Sequence, residues 1–571
     1  MKLKQEIFSL LREWCDTLID YTVNIEDPYL YGSILCPACS VVHGRIGDLA
    51  FPLMLLYNET NDPKYCEAAK KYVSWSNRNL SREDGCFYND VGSTWKGISA
   101  FSALAIGESL SHFGKLLDKD TRNEWEALFK RLTYACAEYF ENPKFTPNIN
   151  YFAGAAALFA FGYNYFGDEF LLKKAKFWEE KCHNSFDEQG LFYGEGKKKN
   201  ERTAKGCRPI DMGYNIEESI PLLIMHAVWL NDQALTEYYK EKAKAHLHFV
   251  LPDGAIDNSF GTRHNKWTYW GSRTSDGLQE GLVLVAKNEP LIARACLESF
   301  RLYQRCTHRG LLNQGPMSHL AKEPPCVHHS FTHAKALAAF YLHIDEADFE
   351  DCENTAMPRE IEGVKSFQGG NVYTVTRGGF IATINADDDV EYTDADNGGG
   401  CISLLYHKSY GPILASTLHT YIPTEPLNMQ YQRHADKVVC QTARFISEGY
   451  TSDNDRSVKL TQNGYKITAA SEEFPLTVAY DFTESAINVT VISEKDGLYR
   501  LPVISSCEDT YTEGENSVTF KDTLTVSTEG ELNVTLYHGK RFFNQVGGFQ
   551  YVDVNFPVKA NKELKFSIYV K

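Results

Sequence analysis

No run of 18 apolar residues occurs anywhere in the 571 residues, so nothing in the sequence reads as a membrane-spanning helix. Nor does the opening segment read as a cleavable leader. The opening segment MKLKQEIFSLLREWCDTLIDY places Ile7, Leu10, Leu11, Trp14 and Leu18 at helical spacing, but Glu6, Arg12 and Glu13 break the apolar core a signal peptide needs. That pattern predicts an amphipathic helix and a cytoplasmic protein, or a periplasmic one if a leader has been removed. Positive charge is scarce: 58 Lys and Arg face 75 Asp and Glu, a net charge of -17. A phosphate-binding surface needs clustered cations, so nucleic acid is not expected as a partner. A locally basic cleft for an anionic sugar remains compatible with this balance. Paired metal motifs are also lacking. Of 15 Cys, only Cys36-Pro-Ala-Cys39 has chelating spacing, and no second such pair follows. The odd, scattered set reads as reduced core thiols rather than a disulfide framework. No motif requires a cofactor, though a divalent cation could be accommodated.

What is present is an ordinary globular composition, 43% hydrophobic and 23% charged, with an aromatic share of 13%. Tyr and Trp fill cores, but they also offer flat faces on which sugar rings stack. The length implies more than one core. A repeat organises the first part. Apolar helices rich in small residues begin near Gly47, Lys96, Asn150, Asn215, Thr274 and Ser330, roughly fifty to sixty-five residues apart. Each has a polar, Gly-rich approach, and charged amphipathic partners such as PKYCEAAKKYVSWS and EFLLKKAKFWEEKC lie between them. Small-residue helices suit an inner ring and amphipathic ones an outer ring. Six such hairpins predict an α/α toroid over 1–345, with an open helical solenoid as the alternative. Residues 346–369, charged and broken by Pro358, read as a linker. From 370 to 571 the apolar period becomes two, as in NVYTVTRGGFIATINA, which predicts an antiparallel β-sandwich.

In a closed ring of hairpins, every approach to an inner helix emerges at the same end. Those approaches carry His43, Arg45 and Asp48; Trp95 and Lys96; Asn148, Asn150 and Tyr151; Arg208, Asp211, Tyr214, Asn215, Glu217 and Glu218; Arg263, His264, Asn265, Lys266, Trp267, Tyr269, Trp270, Arg273 and Asp276; and His328, His329, His333 and Lys335. Together they describe a basic, aromatic-lined pocket suited to a sugar bearing a carboxylate. Each residue also has a duller reading. Asn150 and Asn215 sit where N-caps sit, and Glu217 and Glu218 gain from a helix dipole. Trp267 and Trp270 could plug the mouth of the toroid, and one His before the last inner helix is expected to be structural.

Two chemistries fit an anionic-sugar pocket. β-Elimination from a uronate needs groups that neutralise the carboxylate and a base, for which Tyr269 between Arg263 and Arg273 is suited. Hydrolysis needs a pair of carboxylates, with Glu218, Asp211 or Asp276 as candidates. A glycan-binding protein without turnover is the reading from another class.

On these residues the sequence resembles the heparinase II/III-like polysaccharide lyases, which join a toroid to a β-sandwich. The resemblance implies a His or Asn that neutralises the uronate, a Glu one turn later and a Tyr base some fifty residues on. Those positions match Asn215, Glu218 and Tyr269, with Arg263 assisting and His264 as an alternative acid. It also implies a His from the sandwich, His407 or His419. The segments CPACSVVHGR, GCRPIDMGYNIEES, KWTYWGSRTSDG and PPCVHHSFTHAKALA are most similar to the family 27 lyases that act on L-rhamnose-α-1,4-D-glucuronate ends of arabinogalactan-type glycans. That likeness implies an exo-acting pocket closed by His43 and Arg45. Trp267, Trp270, Arg273, Asn150, Tyr151, His329, His333 and His419 would then bind substrate.

Overall fold

Helix starts in the first part follow from local chemistry. Asp62, Asp118, Asp168 and Asp232 each accept a backbone N–H of the first turn that follows them, a cap worth about 1 kcal/mol. In the computed structural model, which describes residues 2–571 except 39, 91–92, 143–146, 322–323, 388–397, 417–440, 537–538, 540 and 545, and omits the side chains at 265 and 321, the helices are α1 Lys2–Asp20, α2 Ala50–Thr60, α3 Pro63–Leu80, α4 Ile98–Phe113, α5 Lys119–Tyr139, α6 Ile149–Phe166, α7 Glu169–His183, α8 Met212–Tyr214, α9 Ile220–Trp229, α10 Gln233–His246, α11 Gln279–Leu282, α12 Pro290–Cys306 and α13 Val327–His343. Among the described residues, no helix is long and apolar enough to cross a membrane.

The apolar helices α2, α4, α6, α9, α11 and α13 pack in that order, and α13 returns to α2. The ring is therefore closed, which an open solenoid does not allow. Burial explains the division of labour. In α4 almost every residue is buried, and in α6 an unbroken run from Ala153 to Gly162; Ala and Gly in both helices, with Ser in α4, let neighbours approach from both sides. In α3 and α12 only one stripe is buried, with charges facing out. The N-terminal helix α1 packs against α13 and completes the outer ring.

Three 3-10 turns, Glu346–Phe349, Cys352–Asn354 and Pro358–Glu360, lead out of the toroid. The first strand, Gly363–Phe367, then starts inside the segment that reads as a linker. It is an edge strand, half exposed, so it lacks the apolar alternation that marks a strand in sequence. It opens a five-stranded antiparallel meander that continues through Val372–Arg377, Phe380–Asn385, Cys401–His407 and Gly411–Ala415. Two further antiparallel sheets follow, centred on Gly497–Ser505 paired with Gln550–Val558 and on Ala486–Ser493 paired with Leu564–Val570. Alternate residues such as Ile487, Val489 and Val491 turn into a core that also holds Leu405, Val503 and Val554.

The toroid and the sandwich share a buried polar seam. Arg359 donates to Asp257 at 3.1 Å and to the Ala382 carbonyl at 3.0 Å, and Thr383 donates its hydroxyl to Asp257. His248 bonds the Thr374 hydroxyl at 2.9 Å, and the Ser259 and Ser403 hydroxyls meet at 2.8 Å. Arg359 and Asp257 are both fully buried. Arg359→Met, which leaves the Asp257 charge without its partner, is expected to cost about 3–5 kcal/mol of stability in denaturant titrations.

Candidate functional site

The six approaches meet at one cleft of about 310 Å³ at the end of the ring. The 3-10 turn Gly44–Leu49 brings His43 and Arg45, and the approach to α4 brings Asn89, Asp90, Ser93 and Trp95. The first turn of α6 brings Asn150 and Tyr151, and α8 and the turn after it bring Tyr214 and Glu218. Arg263, Lys266 and Thr274 come from the segment before α11, and His328 from α13.

The π-turn Asn215–Ser219 between α8 and α9 sets one wall. Asp211 caps it by accepting the Tyr214 N–H at 3.0 Å and an amide N–H of Asn258 at 2.9 Å. Tyr214 and Glu218, four residues apart, then share the face toward the cleft. A two-stranded ribbon, Trp267–Thr268 with Gly271–Ser272, crosses this turn. The crossing needs glycine on both sides, because a Cβ on Gly213 would lie 2.6 Å from the Gly271 carbonyl carbon. Close approach brings the Tyr214 hydroxyl to that of Thr274 and within 3.4 Å of the Lys266 ammonium. The Arg263 guanidinium stands over the Tyr214 ring, 4.7 Å from its centre.

Opposite Tyr214, the Asn150 amide donates to Glu218 at 2.7 Å, while the Asn150 backbone N–H donates to Glu195 at 2.8 Å. Glu195 also pairs with Arg263 at 2.9 Å. Below them Arg45 bridges Asp48 and Asp276, both at 2.6 Å, and Lys335 joins Asp276 at 2.9 Å. Trp95 donates its indole N–H to the Tyr151 hydroxyl at 2.9 Å, and the two rings stand edge to face.

Burial dominates the protonation of this site. It holds Glu218 well above the usual carboxylate range, aided by the charge of Asp276 and opposed by Arg45. It raises Glu195 to about 7 against the pull of Arg263. It pushes the Tyr214 phenol far up, with Arg263 acting to lower it, and Tyr151 to about 12 against the Trp95 N–H. Burial thus favours the protonated form of Glu218, which can donate a hydrogen bond to a carboxylate.

Several residues singled out in the sequence stand elsewhere. Tyr269 is buried and donates to Asp253 at 2.8 Å, with its ring against Phe549 of the sandwich. Asn215 donates to the Phe192 carbonyl at 2.8 Å and lies beside His246. Neither lines the cleft, and the two point into separate regions. The Trp267 and Trp270 indoles donate to the carbonyls of Ile256 and Asn313, so these rings are packing elements, consistent with the duller reading. His264 and Arg273 are buried away from the cleft wall. His329 bonds the Arg273 carbonyl at 3.0 Å and is lowered to about 3 by burial, and His333 stands edge to face against Trp270 and lies 3.5 Å from Glu217. His407 packs on Phe380 and bonds Ser409, and His419 lies outside the described residues. The physical reason is the ribbon. Its tip, Tyr269–Trp270, is buried deep in the fold, and only its flanks, with Lys266 and Thr274, reach the cleft.

Of the residues expected here, the cleft holds Asn150, Tyr151, His43, Arg45, Arg263 and Glu218. Asn150 is not a cap, since its side chain bonds Glu218 and the N-cap position belongs to Asn148. Tyr214, Lys266, Trp95 and His328 are legible as approach residues, although nothing in the sequence ranks them first. Asn89 and Glu195 carried no such signal. Glu195 arrives from the loop between α7 and α8, outside the repeat of approaches.

Residues 11–360 match the family model described as ulvan lyase N-terminal domain, and residues 364–571 that described as ulvan lyase C-terminal domain. A broad-specificity ulvan lyase of Formosa agariphila is 33% identical over 620 aligned positions, which span 100% of this chain and 93% of that protein. In fold, the chain is similar to heparinase III (TM-score 0.52, 12% identity, 91% of this chain and 75% of that one). It is also similar to a Streptomyces coelicolor A3 chondroitin AC lyase in complex with chondroitin sulphate (TM-score 0.54, 10% identity, 99% and 79%).

Proposed function

Because this chain belongs to the ulvan lyase family and is a polysaccharide lyase, we propose that it cleaves ulvan at a uronate residue by β-elimination, with Tyr214 as the proton acceptor and Asn150 with Glu218 on the carboxylate. One observation carries this reading: the Asn150 amide and the Glu218 carboxyl, hydrogen-bonded at 2.7 Å, share a single cleft with a phenol flanked by Lys266.

The C5 proton of a uronate is weakly acidic, and its removal places negative charge on the carboxylate. Glu218 donates its proton in a hydrogen bond to that carboxylate, and the Asn150 amide orients Glu218. Arg45 and Arg263 add positive potential, and the dry setting strengthens each term. Tyr214, as phenolate, takes the C5 proton, with Lys266 and Arg263 stabilising its charge. The C5–H electrons form the C4=C5 bond, the C4–O bond breaks, and the Tyr214 proton passes to the leaving sugar oxygen. Atoms balance without added water. Tyr151 and Trp95 offer faces for adjoining rings.

Since burial raises the Tyr214 phenol, kcat/KM is expected to climb about tenfold per pH unit through the neutral range, following the ionised fraction of the base. Lys266→Met is expected to move this rising limb to higher pH, as read from pH–rate profiles at constant ionic strength.

The test is a digest of ulvan followed at ultraviolet wavelengths. The unsaturated uronate gives rising absorbance. New reducing ends without absorbance would support a hydrolase, and intact polymer that still binds the protein would support a glycan-binding role. A glycan carrying terminal L-rhamnose-α-1,4-D-glucuronate, the substrate that the resemblance to family 27 lyases implies, is the second substrate of the screen. Release of disaccharide-sized products from the outset would mark an exo mode.

A further inference from the structure

The CxxC that opens the first approach has a partner far along the chain. The Cys36 and Cys326 sulfurs lie 3.7 Å apart, and the His43 Nε2 lies 3.5 Å from the Cys326 sulfur. All three donor atoms fall within 4.8 Å of one another, and all three residues are buried. Ligands around a tetrahedral zinc, with Zn–S about 2.3 Å and Zn–N about 2.0 Å, stand about 3.8 Å apart for two sulfurs and about 3.5 Å apart for sulfur and nitrogen. The observed spacings match that geometry. They do not match a disulfide, whose sulfurs are about 2.05 Å apart.

Local structure prepares the donors. The Cys36 N–H bonds the Val41 carbonyl at 2.9 Å and the Ser40 N–H bonds the Cys36 carbonyl at 2.9 Å, a tight loop followed by the Leu35–Val42 bridge. This folds His43 back toward Cys36. Cys326 is the N-cap of α13, where the helix dipole favours a thiolate. In the sequence, Cys39 completes the CxxC, and it lies outside the described residues.

We propose that Cys36, His43 and Cys326 bind a zinc ion that clips the N-terminal loop to the first turn of α13 and closes the ring of helices beside the cleft. Two thiolates and an imidazole are a soft donor set that selects zinc over magnesium or calcium. Binding displaces two thiol protons and involves no redox change. The position is mechanically apt. Cys36 and Cys326 are separated by 290 residues, and the ion joins the two ends of the toroid where α1 and α13 form its seam. It also fixes two cleft walls, because Arg45 follows His43 by two residues and His328 follows Cys326 by two. His43 is then a metal ligand that shapes the cleft, and it is held out of proton transfer.

The experiment is native mass spectrometry and elemental analysis of tag-free protein prepared without added metal or chelator. One zinc per chain is expected, released when a mercurial thiol reagent is added and read with a metallochromic dye. Cys326→Ser and Cys36→Ser are expected to lose the ion and lower Tm, whereas Cys507→Ser, at an exposed position, keeps both. If the two variants fail to fold, release from the wild-type chain and the thiolate charge-transfer absorption of its cobalt-substituted form still decide the matter. A metal-free native mass after preparation in zinc-containing buffer overturns the proposal. So does a mass two hydrogens lighter with a Cys36–Cys326 cross-link in peptide maps.

Discussion

Tyr214→Phe is expected to lower kcat by about 10²–10⁴-fold, the range lost with a positioned acid–base group. The phenol loses only its hydroxyl, so the ring contact with Arg263 and the packing of the π-turn remain. Tyr269→Phe is the matched comparison. Its hydroxyl bonds Asp253 away from the cleft, so that variant is expected to lose about 1 kcal/mol of stability and to keep its turnover. Ultraviolet rates and denaturant midpoints for the two variants read these outcomes separately. Full activity in Tyr214→Phe, or a collapse of turnover in Tyr269→Phe at unchanged stability, would falsify the assignment of the base.

Asn150→Ala is expected to reduce kcat by about 10²–10³-fold, the cost of removing one preorganised partner of developing charge. Its signature is a parallel fall in kcat and kcat/KM, since the charge it helps to stabilise grows only in the transition state. Glu218→Gln sharpens the point. A glutamine keeps an oxygen for the Asn150 amide and an N–H for the substrate carboxylate, so it imitates the neutral acid that burial produces. Its kcat should stay within about tenfold of the wild type. A hydrolase that used Glu218 as an ionised base or nucleophile would lose nearly all turnover on this change, so the two mechanisms separate on one substitution.

Both variants act within a network that holds the cations in place. Arg45 is shared between Asp48 and Asp276, Lys335 neutralises Asp276 from below, and Glu195 holds Arg263 while bonding the α6 backbone. Charges arranged this way are aimed before substrate arrives, so no reorganisation is spent at the moment of reaction. The cleft thus gathers Arg45, Arg263 and Lys266 at one point, with Arg45 and Arg263 held in place by the buried carboxylates of Asp48, Asp276 and Glu195.

The sequence by itself determined the architecture. Helical and two-residue periodicities are local, and they separate toroid from sandwich without any knowledge of contacts. The small residues of α4 and α6 mark an inner ring because only they allow burial on every side. The recurrence of polar approaches locates the end that carries the cleft, since alternate connections in a ring of hairpins must emerge together. Tertiary structure alone decided which members of each approach face the cleft. Asn150 and Asn215 look alike in sequence, as do Tyr214 and Tyr269. The crossing of the ribbon over the π-turn sets Tyr214 on the cleft wall and buries Tyr269 against the sandwich, while Asn150 reaches the cleft from α6 and Asn215 turns to the Phe192 carbonyl. Glu195 and the Cys36–His43–Cys326 cluster were beyond sequence reach for the same reason. Their partners lie tens to hundreds of residues away, and periodicity carries no record of which distant side chains a closed ring brings together.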